Sequence, residues 1–103
     1  MTTLERDIER KLTGLVKRHG GLCLKWVCPG WVGVPDRLVL LPGGRIIFVE
    51  LKRPKGGQFS KMQRWWAKKL TALGFNYWTV NDSFSLELFE RVELLGEERK
   101  KTT

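Results

Sequence analysis

The sequence contains few residues that could cross-link the chain or bind zinc. It has two cysteines, Cys23 and Cys28, and one histidine, His19. Two cysteines are too few for a disulfide framework, and a reducing compartment would leave them as thiols. A structural zinc site takes four ligands, and no fourth ligand with suitable spacing accompanies these three. We therefore expect small buried thiols rather than a metal site at these positions.

Long apolar segments are also missing. The first seven residues contain no apolar stretch of the kind that signal peptides carry, and no run of about 18 apolar residues occurs anywhere in the chain. Internal repeats and low-complexity segments are absent as well. We therefore expect a non-secreted protein with no membrane partner, located in the cytoplasm of a bacterium or of a phage-infected host cell.

Acidic residues are outnumbered. Nineteen Lys and Arg against eleven Asp and Glu give a formal net charge of +8. Such an excess favours a polyanionic partner such as nucleic acid, although composition alone does not separate DNA from RNA or from an anionic membrane. Between residues 45 and 69 eight cations accompany a single acid, Glu50, whereas residues 82–98 carry six acids and one cation. The basic field is therefore centred on the middle of the chain.

The size of the chain limits it to one domain. Its 103 residues, 42% of them hydrophobic, suffice for one core. We expect that domain to cover residues 1–96, followed by a polar tail over residues 97–103.

Hydrophobic periodicity predicts an α/β domain. Apolar residues at helical spacing predict helices over residues 3–19 and 60–73, and a short helix over residues 83–92. Apolar runs bounded by Gly and Pro predict four strands. These strands are placed over residues 22–27, 36–41, 45–51 and 75–80. The order α-β-β-β-α-β predicts a mixed β-sheet flanked by helices.

Three charged residues interrupt strands that otherwise have a buried pattern. Asp36 follows Pro35 at the start of the second strand, and Glu50 and Lys52 lie at the end of the third. Because side chains alternate along a strand, Glu50 and Lys52 project to the same side. Burying such charges is costly unless they are paired or bound to a metal.

The turn between the second and third strands sets their register. Pro42-Gly43-Gly44 has strong turn chemistry and predicts an antiparallel hairpin. In that hairpin Leu41 faces Arg45, and counting back places Asp36 roughly opposite Glu50. The two carboxylates are therefore expected at one end of the hairpin.

Two carboxylates beside a lysine suit a hydrolytic metal site. Mg²⁺ takes oxygen ligands, often one or two carboxylates, and keeps several waters, and Mn²⁺ should substitute for it. Such a metal can acidify a water and neutralise charge that develops on phosphorus, while Lys52 orients or helps deprotonate that water. The pattern predicts metal-assisted phosphodiester hydrolysis.

Three segments together resemble the virus-type replication-repair nuclease (VRR-NUC) family of the PD-(D/E)xK nuclease superfamily. They are Gly33-Val34-Pro35-Asp36-Arg37, the turn Pro42-Gly43-Gly44-Arg45, and Phe48-Val49-Glu50-Leu51-Lys52-Arg53-Pro54. The resemblance extends from the first helix to about Asp82. It implies a restriction-endonuclease-like core and a Mg²⁺-dependent DNA endonuclease. It also implies a homodimer acting on branched DNA such as Holliday junctions, in DNA repair or a phage context.

The resemblance assigns roles to residues at the end of the hairpin. It implies that Asp36 and Glu50 bind the metal, that the Leu51 carbonyl is a further ligand, and that Lys52 serves catalysis.

The resemblance also implies a site glutamate on the first helix and a glutamine on the second. Glu5 and Glu9 lie one turn apart on the same face, and either could reach the site. We prefer Glu9, which lies eleven residues before Gly20, because Glu5 can serve a capping box with Thr2. The glutamine corresponds to Gln63, for which a capping box with Ser60 is an equally good explanation.

Several basic and aromatic residues are candidates for nucleic-acid contact. Phosphate contacts are expected from Arg37, Arg53, Lys55, Lys61, Arg64 and Lys68, although the helical cations could simply form a solvated face. Trp65 and Trp66 could stack on splayed bases. Core packing is the simpler role for Trp66, and a dimer interface is another role for Trp65. Trp31 is the best candidate for touching DNA or a partner subunit.

Two other functions are compatible with the sequence. A non-catalytic nucleic-acid-binding module could use the same basic surface without binding a metal. A ribonuclease would differ from the DNA endonuclease only in its substrate.

Overall fold

A computed structural model describes residues 5–53 and 57–97 of the chain. The predicted capping residue Thr2, the predicted phosphate contact Lys55 and most of the predicted tail lie outside the described residues. The helices are α1 (Glu5–Arg18), α2 (Lys61–Ala72) and α3 (Ser83–Phe89), and a π-helix, Glu90–Leu94, continues α3. The strands are β1 (Leu22–Lys25), β2 (Arg37–Leu41), β3 (Arg45–Leu51) and β4 (Asn76–Val80). Within the described ranges, no helix has the length and apolar character needed to cross a membrane.

The four strands form one mixed sheet in the order β1-β2-β3-β4. β1 pairs with β2 and β2 with β3 in antiparallel fashion, whereas β4 runs parallel to β3. The helix that connects β3 to β4, α2, provides the crossover that a parallel pair requires. This arrangement confirms the predicted α/β class and the mixed sheet flanked by helices.

The hairpin of β2 and β3 has the predicted register. Leu41 pairs with Arg45 across the turn, and Arg37 pairs with Val49 at the far end. Asp36 directly precedes Arg37, and Glu50 directly follows Val49, so the same register brings Asp36 beside Glu50. A slip by one residue would move every side chain to the opposite face of the sheet, so this register is what allows the two carboxylates to meet.

Element boundaries differ from the predictions by one to three residues at several places, three of which show a cause or a new feature. β1 ends at Lys25, although the Trp26 N–H still donates to the Asp36 carbonyl at 3.0 Å. β2 begins at Arg37 rather than Asp36. The last helix changes from α to π at Glu90, where the Leu95 N–H donates to the Glu90 carbonyl at 2.8 Å. Helix ends and wide turns depend on packing that hydrophobic periodicity does not report.

The core lies between one face of the sheet and the helices α1 and α3. From α1 it includes Ile8, Leu12 and Val16, and from α3 it includes Phe89. The sheet contributes Val39, Leu41, Ile47, Val49, Leu51, Trp78 and Val80. The spacing of four residues along α1 and of two along the strands explains why these side chains share one layer.

The opposite face of the sheet carries an aromatic cluster beneath α2. Trp26 contacts Phe48 with ring centroids 5.1 Å apart and Trp66 with centroids 6.1 Å apart. Phe48 also contacts Phe75 at 5.3 Å. Trp66 therefore packs against other side chains, as the sequence predicted. Its contact with Trp26 holds α2 on this face of the sheet, near Glu50.

Candidate active site

Asp36 is fixed at the end of the hairpin by two backbone contacts. Its side-chain Oδ2 accepts a hydrogen bond from the Leu51 N–H at 2.7 Å, and its own carbonyl accepts from the Trp26 N–H at 3.0 Å. The preceding Pro35 is buried, which leaves the local backbone little freedom. The Asp36 carboxylate therefore lies against the last residues of β3.

Glu50 is a buried carboxyl group with an acidic neighbour. Only 1% of the residue is exposed, and its Oε2 accepts a hydrogen bond from Gln63 Nε2 at 3.2 Å. Burial, followed by a hydrogen bond to the Asp36 carboxyl and the charge of Asp36, raises the pKa of Glu50 to about 9, against a smaller lowering by Lys52. The Asp36–Glu50 pair thus holds a proton at neutral pH in the absence of a cation.

Lys52 is held at the same site by two acceptors. Its Nζ donates to Gln63 Oε1 at 2.9 Å and to the Gln58 carbonyl at 2.7 Å. The ammonium also lies 5.1 Å from the centre of the Phe59 ring, within the range of a cation–π contact. The Lys52 N–H donates to the Val80 carbonyl at 3.1 Å, which anchors the backbone here to the end of β4.

Gln63 connects the carboxylate to the lysine. Its Nε2 donates to Glu50, and its Oε1 accepts from Lys52. The same Oε1 accepts from the Ser60 N–H at 2.8 Å, while the Gln63 N–H donates to Ser60 Oγ at 3.1 Å. The capping box and the site contact, which the sequence left as alternatives, are therefore both present. The cap at the start of α2 is what orients the side chain toward the site.

The loop before Asp36 is clamped onto α2. Gly33 has φ +80°, and a Cβ at this position would lie 2.6 Å from Met62 Cβ and 2.9 Å from the Gln63 nitrogen. The Trp66 indole Nε1 donates to the Val32 carbonyl at 2.9 Å. Only glycine permits this conformation and this approach without strain. The clamp therefore fixes the segment leading to Asp36 against the helix that carries Gln63.

The structure gives the two helical glutamates different surroundings. Glu9 Oε1 lies 2.6 Å from Arg37 Nη2 in a salt bridge. Glu5, in contrast, is the helical carboxylate whose charge contributes to the raised pKa of Glu50. Glu5 is therefore within electrostatic range of Glu50, whereas Glu9 is paired with Arg37.

Arg37, a predicted nucleic-acid contact, is engaged in contacts within the protein. Its side chain is only 15% exposed, and besides Glu9 it contacts the Cys23 carbonyl through Nη1 at 3.5 Å. Its Nε is buried without a hydrogen-bond partner among the described residues. Arg37 therefore joins α1 to the sheet and is not a free surface cation.

Among the described residues, the remaining predicted phosphate contacts are exposed. Arg53 follows Lys52 directly, and Lys61, Arg64 and Lys68 are exposed along α2. Arg64 donates to the Phe59 carbonyl at 3.3 Å. Within α2 there is no acidic residue to neutralise these charges.

The donor set fits a hard divalent cation. Two carboxylates face each other across the hairpin, and one of them holds a proton that a cation would displace. Mg²⁺ commonly uses one or two carboxylates together with water, so this set suffices. In the described part of the chain, no group of three or more His, Cys, Asp or Glu side chains is placed to hold a metal. The fit therefore depends on Asp36 and Glu50.

Two residues of β4 adjoin the site and were missed by sequence reasoning. Thr79 pairs with Glu50 across the parallel strands, and Tyr77 pairs with Phe48. Burial and the charge of Glu50 raise the pKa of the Tyr77 hydroxyl, which places this ring within the field of the carboxylates. Sequence periodicity could not find these contacts, because it does not specify which strand lies beside β3.

Comparison with known proteins finds similarity both in sequence and in structure. A curated protein named "Putative nuclease p44", from Acyrthosiphon pisum secondary endosymbiont phage 1, is 56% identical to the chain over 50 residues. The match covers 48% of this chain and 54% of the relative, so the chain spans about half the length of the curated relative it matches. No protein-family model matches the chain. A solved VRR-NUC domain matches with a TM-score of 0.81 and 26% sequence identity, over 86% of this chain and 96% of that domain.

Proposed function

We propose that this chain is a Mg²⁺-dependent DNA endonuclease of the VRR-NUC type, the family that its motifs resemble and whose solved domain shares its fold. The observation that carries the proposal is the connected set at the end of β3, in which Gln63 joins Glu50 to Lys52 and Asp36 faces Glu50. A buried carboxyl group that faces a second acid is costly for stability, and perturbed groups of this kind cluster at functional sites.

We assign the metal-binding role to Asp36 and Glu50, with the Leu51 carbonyl as a further ligand. A divalent cation bound there would supply a more acidic water and would neutralise negative charge on the phosphate. The Leu51 N–H bond holds one Asp36 oxygen in place, so the carboxylate does not have to be ordered when the ligand arrives. On α1 we assign the supporting carboxylate to Glu5 in place of Glu9, because Glu9 is occupied by Arg37.

Lys52 and Gln63 are assigned to catalysis. The Lys52 ammonium is held by Gln63 and by the Gln58 carbonyl, so its position relative to Glu50 is fixed before substrate binds. From there it can hydrogen-bond the attacking water or stabilise charge on a non-bridging phosphate oxygen. Gln63 serves as a positioning residue, because it contacts both Glu50 and Lys52.

DNA binding is assigned to the exposed cations around the site. These are Arg53, Lys61, Arg64 and Lys68, with Lys55 retained from the sequence. Such side chains neutralise phosphates without reading sequence, so affinity should fall steeply with salt. Because these contacts do not depend on base sequence, the surface suits a nuclease that recognises the structure of its DNA substrate.

We also propose that the substrate is branched DNA, such as a four-way junction, and that the protein acts as a homodimer. Two copies related by a two-fold axis would present two sites to two strands of a junction. Exposed apolar side chains support self-association: Leu22 is 58% exposed and Leu24 is 43% exposed on β1, which is at the edge of the sheet. Sedimentation velocity at micromolar concentration tests the dimer, and a monomer at all concentrations would contradict it.

A substrate panel tests the activity. Purified protein should cut a four-way junction with Mg²⁺ or Mn²⁺ but not with EDTA, and linear duplex, single-stranded DNA and RNA duplex complete the panel. Lys52→Ala and Glu50→Gln should each lower the rate of cutting by about 10²-fold or more while binding persists. Glu87→Gln, an exposed glutamate on α3, is the control and should cut normally.

The outcomes separate the proposal from its rivals. Retained cutting by both site variants would overturn the mechanism. Salt-dependent binding without cutting, and without calorimetric Mg²⁺ binding, would favour a non-catalytic nucleic-acid-binding module. Faster cutting of RNA than of any DNA would favour a ribonuclease.

A further inference from the structure

Two tryptophans outside the catalytic set are exposed beside it. Trp31, in the loop between β1 and β2, is 57% exposed, and Trp65, on α2, is 44% exposed. Both pack edge-to-face on Trp66, with ring centroids 5.6 Å and 5.1 Å away respectively. Such contacts set the orientation of both rings while leaving much of their surface in solvent.

The support for these rings is rigid. Trp66 donates its indole N–H to the Val32 carbonyl, next to Trp31, and Gly33 allows the loop to approach Met62. Trp66 also lies one turn from Gln63 on α2, on the same side of the helix. The aromatic surface is therefore fixed to the two segments that supply Asp36 and Gln63. A ligand stacking on it would not have to order these side chains first.

The charges around Trp65 favour an anionic partner. Lys61, Lys68 and Lys69 lie four residues before, three after and four after Trp65, which makes them its neighbours on the helix surface. All three are exposed, and α2 contains no acidic residue. A second copy of this chain docked on the same surface would bring like charges together. Nucleic acid offers phosphates for the lysines and flat rings for the tryptophans.

We propose that Trp31 and Trp65 form a stacking platform for unpaired bases adjacent to the cleavage site. This inference rests on the proposed nuclease function and narrows its substrate to DNA with unstacked bases near the cut, as at a branch point or flap. Bases inside a continuous duplex are already stacked on each other, so they cannot use the platform. Phosphate contacts would then supply affinity, and the platform would supply preference for DNA structure.

The test is metal-free binding by Trp31→Ala, Trp65→Ala and the double variant. The probes are a single-stranded oligodeoxythymidine of about 12 nucleotides, within the known site sizes of single-strand binders, and a duplex of equal length. We expect each variant to lose about tenfold or more in single-strand affinity, since stacking on one aromatic ring is of that order. Duplex affinity should be nearly unchanged. Trp65→Phe should retain most of the binding, because the phenyl ring still stacks.

Matched controls separate stacking from other causes. Phe84→Ala removes an aromatic that is 75% exposed on α3 and should change neither affinity. Lys68→Ala should weaken single-strand and duplex binding alike, because phosphates are common to both. Melting temperatures close to that of the wild type would show that the tryptophan variants fold.

Three results would overturn the platform. They are unchanged single-strand affinity in the double variant, equal losses on single strand and duplex, or conversion of a dimer to a monomer with single-strand binding intact. The last result would assign the tryptophans to a protein interface. If wild-type protein cuts junctions and the double variant still binds single strands normally, the platform fails and the nuclease function stands. If single-strand binding depends on the tryptophans but no DNA is cut, the nuclease function fails and the platform stands.

Discussion

Two buried glutamates lie near opposite ends of the sheet, and their surroundings are different. Glu93 is 4% exposed, and its carboxylate accepts from Arg45 Nη2 at 2.8 Å, from Trp78 Nε1 at 2.6 Å and from Asn76 Nδ2 at 3.1 Å. Glu50 is 1% exposed and accepts from Gln63, but its other close neighbour is the Asp36 carboxyl.

The difference shows which carboxylate is structural. Glu93 has a cation and two N–H donors, so its burial is compensated within the fold. Glu50 instead faces another acid, and Lys52 offsets only part of this cost, so a proton or a cation from outside is needed to neutralise the pair. One buried glutamate therefore stabilises the protein, whereas the other lowers stability, as expected of a carboxylate that serves the proposed metal site.

The largest expected difference between the two glutamates is in cleavage. Glu50→Gln should lower the rate of DNA cutting by about 10²–10³-fold, the usual loss when one electrostatic contact to the transition state is removed. Glu93→Gln should cut at a rate close to that of the wild type. Single-turnover cleavage of a four-way junction measures both. Equal losses of cleavage rate in the two variants would show that Glu50 and Glu93 do not differ in their role in cleavage.

The second difference is in the response to divalent cations. At about 100 times its dissociation constant, Mg²⁺ or Mn²⁺ should stabilise the wild type by about 2.7 kcal/mol, because it binds the folded state alone. Glu93→Gln should keep this stabilisation, and Glu50→Gln should lose it. Urea denaturation with and without the cation measures the effect, and cation-stabilised Glu50→Gln would contradict the metal assignment.

The third difference is in the stability of the metal-free protein. Glu93→Gln should lower the free energy of unfolding by about 1–3 kcal/mol, because the charge-assisted bond from Arg45 is lost inside the protein. Arg45→Gln should give a similar loss, and the double variant should cost less than the sum of the two. Additive losses would show that the pair is not coupled.

A smaller effect is expected from the two helical glutamates. Glu5→Gln should reduce cutting by about tenfold, the low end of losses for groups that support a metal site. Glu9→Gln should leave cutting near that of the wild type and instead weaken the contact of α1 with Arg37. Cleavage rates together with melting temperatures distinguish the two. A larger loss of cutting in Glu9→Gln would restore the preference drawn from the sequence.

The smallest effect is a pH-dependent stabilisation by Glu50→Gln without metal. The folded-state pKa of Glu50, about 9, lies above its ordinary value of 4.5. The protonated carboxyl therefore makes its full contribution to the free energy of unfolding below pH 4.5, and this contribution is lost as the pH rises toward 9. Glutamine cannot ionise, so the Tm of the variant should rise relative to that of the wild type as the pH increases over that interval. A difference in Tm between Glu50→Gln and the wild type that does not change with pH would contradict the raised pKa.

The part of the site carried by the hairpin could be predicted from the sequence. Asp36, Glu50 and Lys52 are brought together by a short turn and by alternation along a strand, which are both local rules. The helical residues were harder to place. Whether Glu5 or Glu9 approaches the site depends on how α1 lies across the sheet, and one turn of helix separates the two answers.

The sequence by itself determined the order of the elements, the register of β2 on β3 and the meeting of two carboxylates, because each follows from spacing within about twenty residues. Only the tertiary structure decided that Arg37 is occupied by Glu9, that Gln63 both caps α2 and contacts the site, and that Thr79 lies beside Glu50. These contacts join segments distant in the chain, and their geometry is set by how helices pack on the sheet, a property that no local pattern encodes.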